Sequence, residues 1–166
     1  MEYRLDSEFV ERKARECLAE RGVTVEDIAE LVYFLQKDYI ANLKMEDCLY
    51  SAQRVVHKRE VQNAVLTGIY LDTLCEKGLL PSPLQEMIRY DEGLYGVDEV
   101  LALSIINLYG TIGFTNFGYI DKKKPGILGR LNDKNNPQVH TFLDDLIAAI
   151  ASAASSRLAH KLQPDV

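Results

Sequence analysis

Cysteine is scarce in this chain: Cys17, Cys48 and Cys75 stand far apart, and no two form a CxxC pair. That excludes a disulfide framework or a cysteine zinc site and fits reduced thiols in a cytosol. Long apolar runs are missing too. The uncharged run from Leu146 to Ser156 has 11 residues, against the ~20 that a membrane helix needs. Positive charge is in the minority. A net charge of −6 and a pI near 5.1 argue against wrapping nucleic acid or coating an anionic membrane by bulk charge, and Lys122-Lys123-Lys124 is the local exception. The start, Met-Glu-Tyr-Arg-Leu-Asp, is charged and lacks an apolar core, so no secretory signal is read there. No segment alternates with period two, which leaves no case for strands. No Cys/His pairing has metal-ligand spacing, and no Ser/His/Asp set assembles. The expectation is a cytoplasmic all-α protein, with residues 1–166 as one domain.

What the chain does contain is organised around Thr141–Leu162. From Leu146 to Ser156 this stretch holds only Leu, Ile, Ala and Ser. A helix that is apolar or small on every face has no side for water and belongs inside a bundle. The predicted architecture is therefore a compact multi-helix bundle with this small-residue rod at its centre. Two carboxylates, Asp144 and Asp145, stand at its head.

Residues 1–80 read as amphipathic helices. The first starts at Asp6 or Ser7, ends before Gly22, and carries Phe9, Val10, Ala14, Cys17 and Leu18 as its apolar stripe. Thr24 and Asp27 form a capping-box pattern that opens a second helix, with Ile28, Leu31, Val32 and Leu35 buried and an end at Asn42 or Lys44. Met45–Lys77 is one long helix or two, with a bend near His57-Lys58. Ser82-Pro83 reads as an N-cap and first helical residue. Two shorter helices meet near Gly110, with Ile112, Phe114, Phe117 and Ile120 buried in the second. Asn132–Pro137 is a surface loop of turn formers, and the tail after Lys161 is expected to fray. His140 reads as a loop histidine rather than a proton shuttle, and Arg157 is expected to meet an acid or the last carbonyls of the rod.

Three acidic stations lie where a buried segment meets solvent: Asp98-Glu99, Asp121 followed by Lys124, and Asp144-Asp145. Taken singly, each is a helix cap or a first-turn acid that complements the dipole. Together they carry more. Two carboxylates ~4 Å apart repel by roughly 4 kcal/mol at an effective dielectric of 20. A converging set therefore needs protons, Lys or Arg partners, or a hard divalent cation such as Mg2+, which binds through oxygen and accepts phosphate oxygens. Consecutive helical residues point ~100° apart, so one member of each pair is expected to bind a cation directly.

Phe117-Gly-Tyr-Ile-Asp121-Lys-Lys-Lys124-Pro125 resembles the F-x-x-x-D-x-x-K-P motif of the phosphatidylglycerophosphatase A family. Val97-Asp98-Glu99-Val100 is similar to that family's aspartate–glutamate helix start. Leu143-Asp144-Asp145-Leu146 is similar to its paired-aspartate helix, and the three occur in the family's order. Arg130 and Asp133 resemble its R-x-x-D, with one residue inserted. The resemblance spans roughly residues 91–154, within a phosphatase-like acidic-motif region of residues 91–162, and is nearest to the family's short soluble YutG-like branch. It implies a Mg2+-dependent phosphatase of lipid metabolism, with Asp98, Glu99, Asp144 and Asp145 as metal ligands and Asp121, Lys124 and Arg130 as catalytic residues. The substrate it implies is phosphatidylglycerophosphate or a related phosphorylated small molecule, bound by its headgroup.

Further partner expectations follow: no nucleic acid, no membrane-spanning segment, room for peripheral contact with a membrane, and a homo-oligomer. The alternative is a non-catalytic oligomeric interaction protein whose acids are helix caps. It predicts no thermal stabilisation by magnesium or calcium.

Overall fold

The computed structural model describes residues 5–162. The first four residues and residues 163–166 of the tail expected to fray lie outside that range, while Leu162 still belongs to a helix. Among the described residues the chain forms nine helices and no strand.

The first helix, α1 (Ser7–Glu20), is capped by the Asp6 carboxylate, which accepts from Glu8 N at 3.2 Å. Past Arg21, Gly22 takes a φ of +73° and turns the chain. Helix α2 (Val25–Gln36) opens with the Thr24–Asp27 capping box, formed in both directions. It stops at Gln36, short of the expected Asn42 or Lys44. Beyond Leu35 the next residues supply no buried apolar side chain to hold another turn, and Tyr39 is 83% exposed. The stretch after it breaks at His57-Lys58 into α3 (Met45–Val56) and α4 (Arg59–Glu76). The short α5 (Leu84–Arg89) has Pro83 at its cap position and no side-chain cap, so Ser82 does not play the expected part.

Then follow α6 (Val97–Ile106), α7 (Thr111–Lys123), α8 (Ile127–Leu131) and α9 (Leu143–Leu162). Helix α9 is the central rod and packs against α2, α3, α4, α6, α7 and α8. From Leu143 to Ser156 every residue is buried. Ala and Ser let those neighbours approach closely, and the buried hydroxyls are satisfied by carbonyls, as interior polar groups must be. Ser152 donates to Ala148 O at 2.7 Å, and Ser156 donates to Tyr109 O at 2.7 Å. From α3, Ser51 donates to Ala154 O at 2.8 Å.

Four residues expected to be buried are not: Ile112 and Phe117 are half-buried, and Phe9 and Phe114 are exposed. Phe9 and Phe114 are 42% and 41% exposed, since no other described helix covers those edges of α1 and α7; Arg12 lies over the Phe9 ring. Arg157 meets the Tyr50 ring and the Ser51 hydroxyl of α3, and no acid among the described residues. No helix among the described residues is long and apolar enough to cross a membrane.

Candidate metal centre

The last turn of α7 brings Asp121 to the first turn of α9. There Asp121, Asp144 and Asp145 each present a carboxylate oxygen, all within 4.8 Å of one another. Lys124 closes the arrangement. It ends α7 in the left-handed region, at φ 47° and ψ 49°, a conformation that costs a non-glycine residue energy and that clusters at functional sites. From there its ammonium donates to Asp121 Oδ1 at 2.6 Å and to Asp144 Oδ2 at 2.9 Å.

Charge decides what the group can hold. Burial works against the Lys124 ammonium, yet the neighbouring Asp144 and Asp121 outweigh it and raise its pKa above the ordinary value. Burial also raises the Asp144 carboxyl, and Lys124 only partly offsets that. Among the described residues no Lys or Arg pairs with Asp145. Burial and the charges of Asp144, Asp121 and Asp98 push its carboxyl up to about 9. With all three ionised, one ammonium leaves two charges unmet among oxygen donors only, which is why Asp145 keeps a proton until a cation takes its place. That donor set can hold a metal ion and suits a hard divalent one.

Asp98, in the first turn of α6, is buried and raises Asp145 through its charge, but it lies outside the close group. Glu99, the next residue on the helix, is exposed and is not brought to the cluster. The ~100° step between neighbours separates this pair as expected. It does not separate Asp144 from Asp145, because α9 is enclosed on all sides and both directions meet protein. Arg130 sits on the exposed face of α8, and its guanidinium donates to the Gly22 carbonyl oxygen, away from the carboxylates. His140 is buried in the loop before α9, with Nδ1 against Leu131 O at 2.9 Å and Nε2 against Gln138 Oε1 at 3.1 Å. Burial lowers its pKa.

A cavity of about 460 Å³ opens beside Asp144, between the end of α5 and the loop from α8 to α9. Its lining is mixed: Arg89, Lys134, Asn132 and Gln138 offer hydrogen bonds, Asp91 and Asp133 add negative charge, and Leu131, Pro137 and Val139 are apolar. A roomier cavity of about 560 Å³ lies near Ala159 and Leu162, at the far end of α9, and meets none of these carboxylates. The chemistry therefore belongs to the first.

One residue of this region went unnoticed in the sequence. Asp72 of α4 is fully buried and accepts from Phe142 N and Leu143 N at the start of α9. The available signal was its place on the buried stripe of α4, three residues after Ile69 and seven after Val65.

The sequence model for phosphatidylglycerophosphatase A matches residues 17–160. The chain is 63% identical to the uncharacterized protein YutG of Bacillus subtilis, over 92% of each chain. Two solved structures superpose closely. A protein of unknown function from Bacillus stearothermophilus has a TM-score of 0.91 at 65% identity, covering 92% of this chain and 95% of its own. The low temperature requirement C protein of Listeria monocytogenes has a TM-score of 0.90 at 62% identity, covering 92% and 96%.

Proposed function

Because the chain belongs to the phosphatidylglycerophosphatase A family, we propose that it is a Mg2+-dependent phosphatase that hydrolyses a phosphomonoester at the Asp121–Asp144–Asp145 group. The observation that carries this reading is the convergence of those three carboxylates, from two helices, around a single lysine. Asp121, Asp144 and Asp145 are the residues to hold the ion, with Asp98 behind them. A bound Mg2+ supplies the charge neutralisation that a phosphate dianion needs and lowers the pKa of a bound water.

The protein's own groups do the rest. Lys124 keeps its proton throughout the working pH range and offers a fixed positive charge to phosphate oxygens. Asp145 is the group that holds a proton in the metal-free protein, and it has to release that proton when a cation enters. The cavity beside Asp144 takes the organic remainder of the substrate. Its carboxamides and cations offer hydrogen bonds to a hydroxylated headgroup, whether that headgroup belongs to phosphatidylglycerophosphate or to a free small molecule. Glu99 and Arg130 have no part in this reading, since neither side chain stands at the group.

The test is phosphate release from phosphatidylglycerophosphate vesicles and from soluble phosphomonoesters, with and without Mg2+. Mg2+-dependent release is expected, with a loss of about 10²–10³ in kcat for Lys124→Ala, in the range of removing one preorganised charge partner. No release from any of these substrates, with Asp144→Ala matching the wild type in Mg2+ binding, defeats the reading.

A further inference from the structure

The acidic group stands at the N-terminus of α9, yet α9 brings no cap of its own. Phe142, just before the first helical residue, has no side-chain acceptor, and Thr141 turns its hydroxyl to Ile88 O at 2.6 Å. Asp144 N reaches His140 O at 3.2 Å and Asp145 N reaches Asp144 Oδ1 at 2.9 Å, but the N–H groups of Phe142 and Leu143 are met from another helix. The Asp72 carboxylate of α4 accepts from Phe142 N at 3.1 and 3.2 Å and from Leu143 N at 3.0 Å. Gly68, one turn earlier on α4, makes the reach possible. A Cβ there would come within 2.5 Å of Leu146 Cδ1 and 3.0 Å of Phe142 Cβ.

Capping alone does not call for an acid. Ser, Thr or Asn accept the same N–H groups without a charge to bury. At this position a carboxylate is the costly choice, because it is shielded from water and feels the repulsion of Asp144, which the charge of Arg21 and the two N–H bonds offset without cancelling the burial. What an acid adds in its ionised form, which burial disfavours in the metal-free protein and a cation beyond the helix end favours, is negative potential behind a helix end that is itself positive, the end toward which a cation at Asp144 and Asp145 must approach.

We propose that Asp72 is a positioning residue of the metal centre. It fixes the first turn of α9, so that Asp144 and Asp145 keep their directions, and it offsets the positive helix end against which a divalent cation binds. This rests on the metal-dependent reading above. Carboxylates that orient metal ligands from behind typically change metal affinity 10–100-fold when altered.

The experiment is calorimetric titration of the full chain with Mn2+, which reads binding without turnover. Asp72→Asn keeps the shape and one acceptor oxygen and removes the charge. Its Mn2+ affinity is expected to fall 10–100-fold, with amide exchange at Asp144 and Asp145 quickened in the metal-free protein. Ser51→Ala removes the hydrogen bond to Ala154 O at the other end of α9. It is expected to lower the Tm and leave Mn2+ affinity unchanged, which separates positioning from general loosening of the rod. Should Asp72→Asn not fold, Asp72→Glu takes its place, with the charge kept, the hydrogen bonds displaced and a loss of tenfold or more expected. Wild-type affinity in a folded Asp72 variant overturns the proposal, as does an equal loss in Ser51→Ala. A wild-type chain with no saturable Mn2+ or Mg2+ binding overturns the metal-dependent reading itself, and Asp72's role with it.

Discussion

Asp145 is the side chain whose protonation matters most at the site. In the folded, metal-free protein its carboxyl is pushed up to about 9, from 3.8 in an unperturbed aspartate. Between those values the unfolded chain ionises it while the folded chain keeps it protonated. The stability it contributes is therefore complete below about pH 4 and is lost as the pH rises toward 9. Burial moves Asp72, Asp98 and Asp144 in the same direction. The Tm of the metal-free protein is expected to fall from pH 5 to pH 9, and Asp145→Asn to reduce that slope without abolishing it. Apparent Mg2+ affinity should climb over the same interval, because the ion binds the ionised carboxylate. A Tm that rises with pH in thermal scans contradicts this assignment. Lys124 was legible at this scale from its place before Pro125, and its ammonium does stand between two carboxylates. Arg130 was named by a looser spacing, and its guanidinium went to a backbone carbonyl across the molecule. A charge in a sequence has no direction until its helix has neighbours.

Among the elements, the contact of α4 with α9 is the most constrained. Gly68 lies on the buried face of α4, against Leu146 and Phe142. Gly68→Ala gains up to about 1 kcal/mol of helix propensity but overpacks the contact, at a typical cost of about 1–3 kcal/mol. The Leu146 methyl can swing aside, whereas the Phe142 Cβ is fixed to the backbone. A net loss of about 1 kcal/mol is expected, a Tm drop of roughly 2–4 °C for a chain of this size. A variant as stable as the wild type in thermal unfolding means that the helices part more easily than this packing implies. Helix starts were read well where the cap is local, as at Asp6 and at Thr24–Asp27. The end of α2 was misplaced, because a helix without a glycine stop ends where packing ends.

For the molecule as a whole, the acids set the response to metal. A cation that binds only the folded state at 100 times its Kd stabilises by ~2.7 kcal/mol, or roughly 5–11 °C in Tm for a domain of this size. That rise is expected with Mg2+ or Mn2+ and is expected to be lost in Asp144→Asn. Its absence in the wild type favours the reading of these acids as helix caps. Periodicity and composition alone determined that the chain is helical, that the uncharged run Leu146–Ser156 lies inside and that acids stand at the head of its helix, because burial pattern and capping are properties of neighbours along the chain. Which carboxylates meet was decided only by the tertiary structure. Packing alone turned Asp121 toward α9, left Glu99 in solvent and drew Asp72 of α4 under the first turn of the rod, since a side chain's partners across the fold depend on how helices are set against one another.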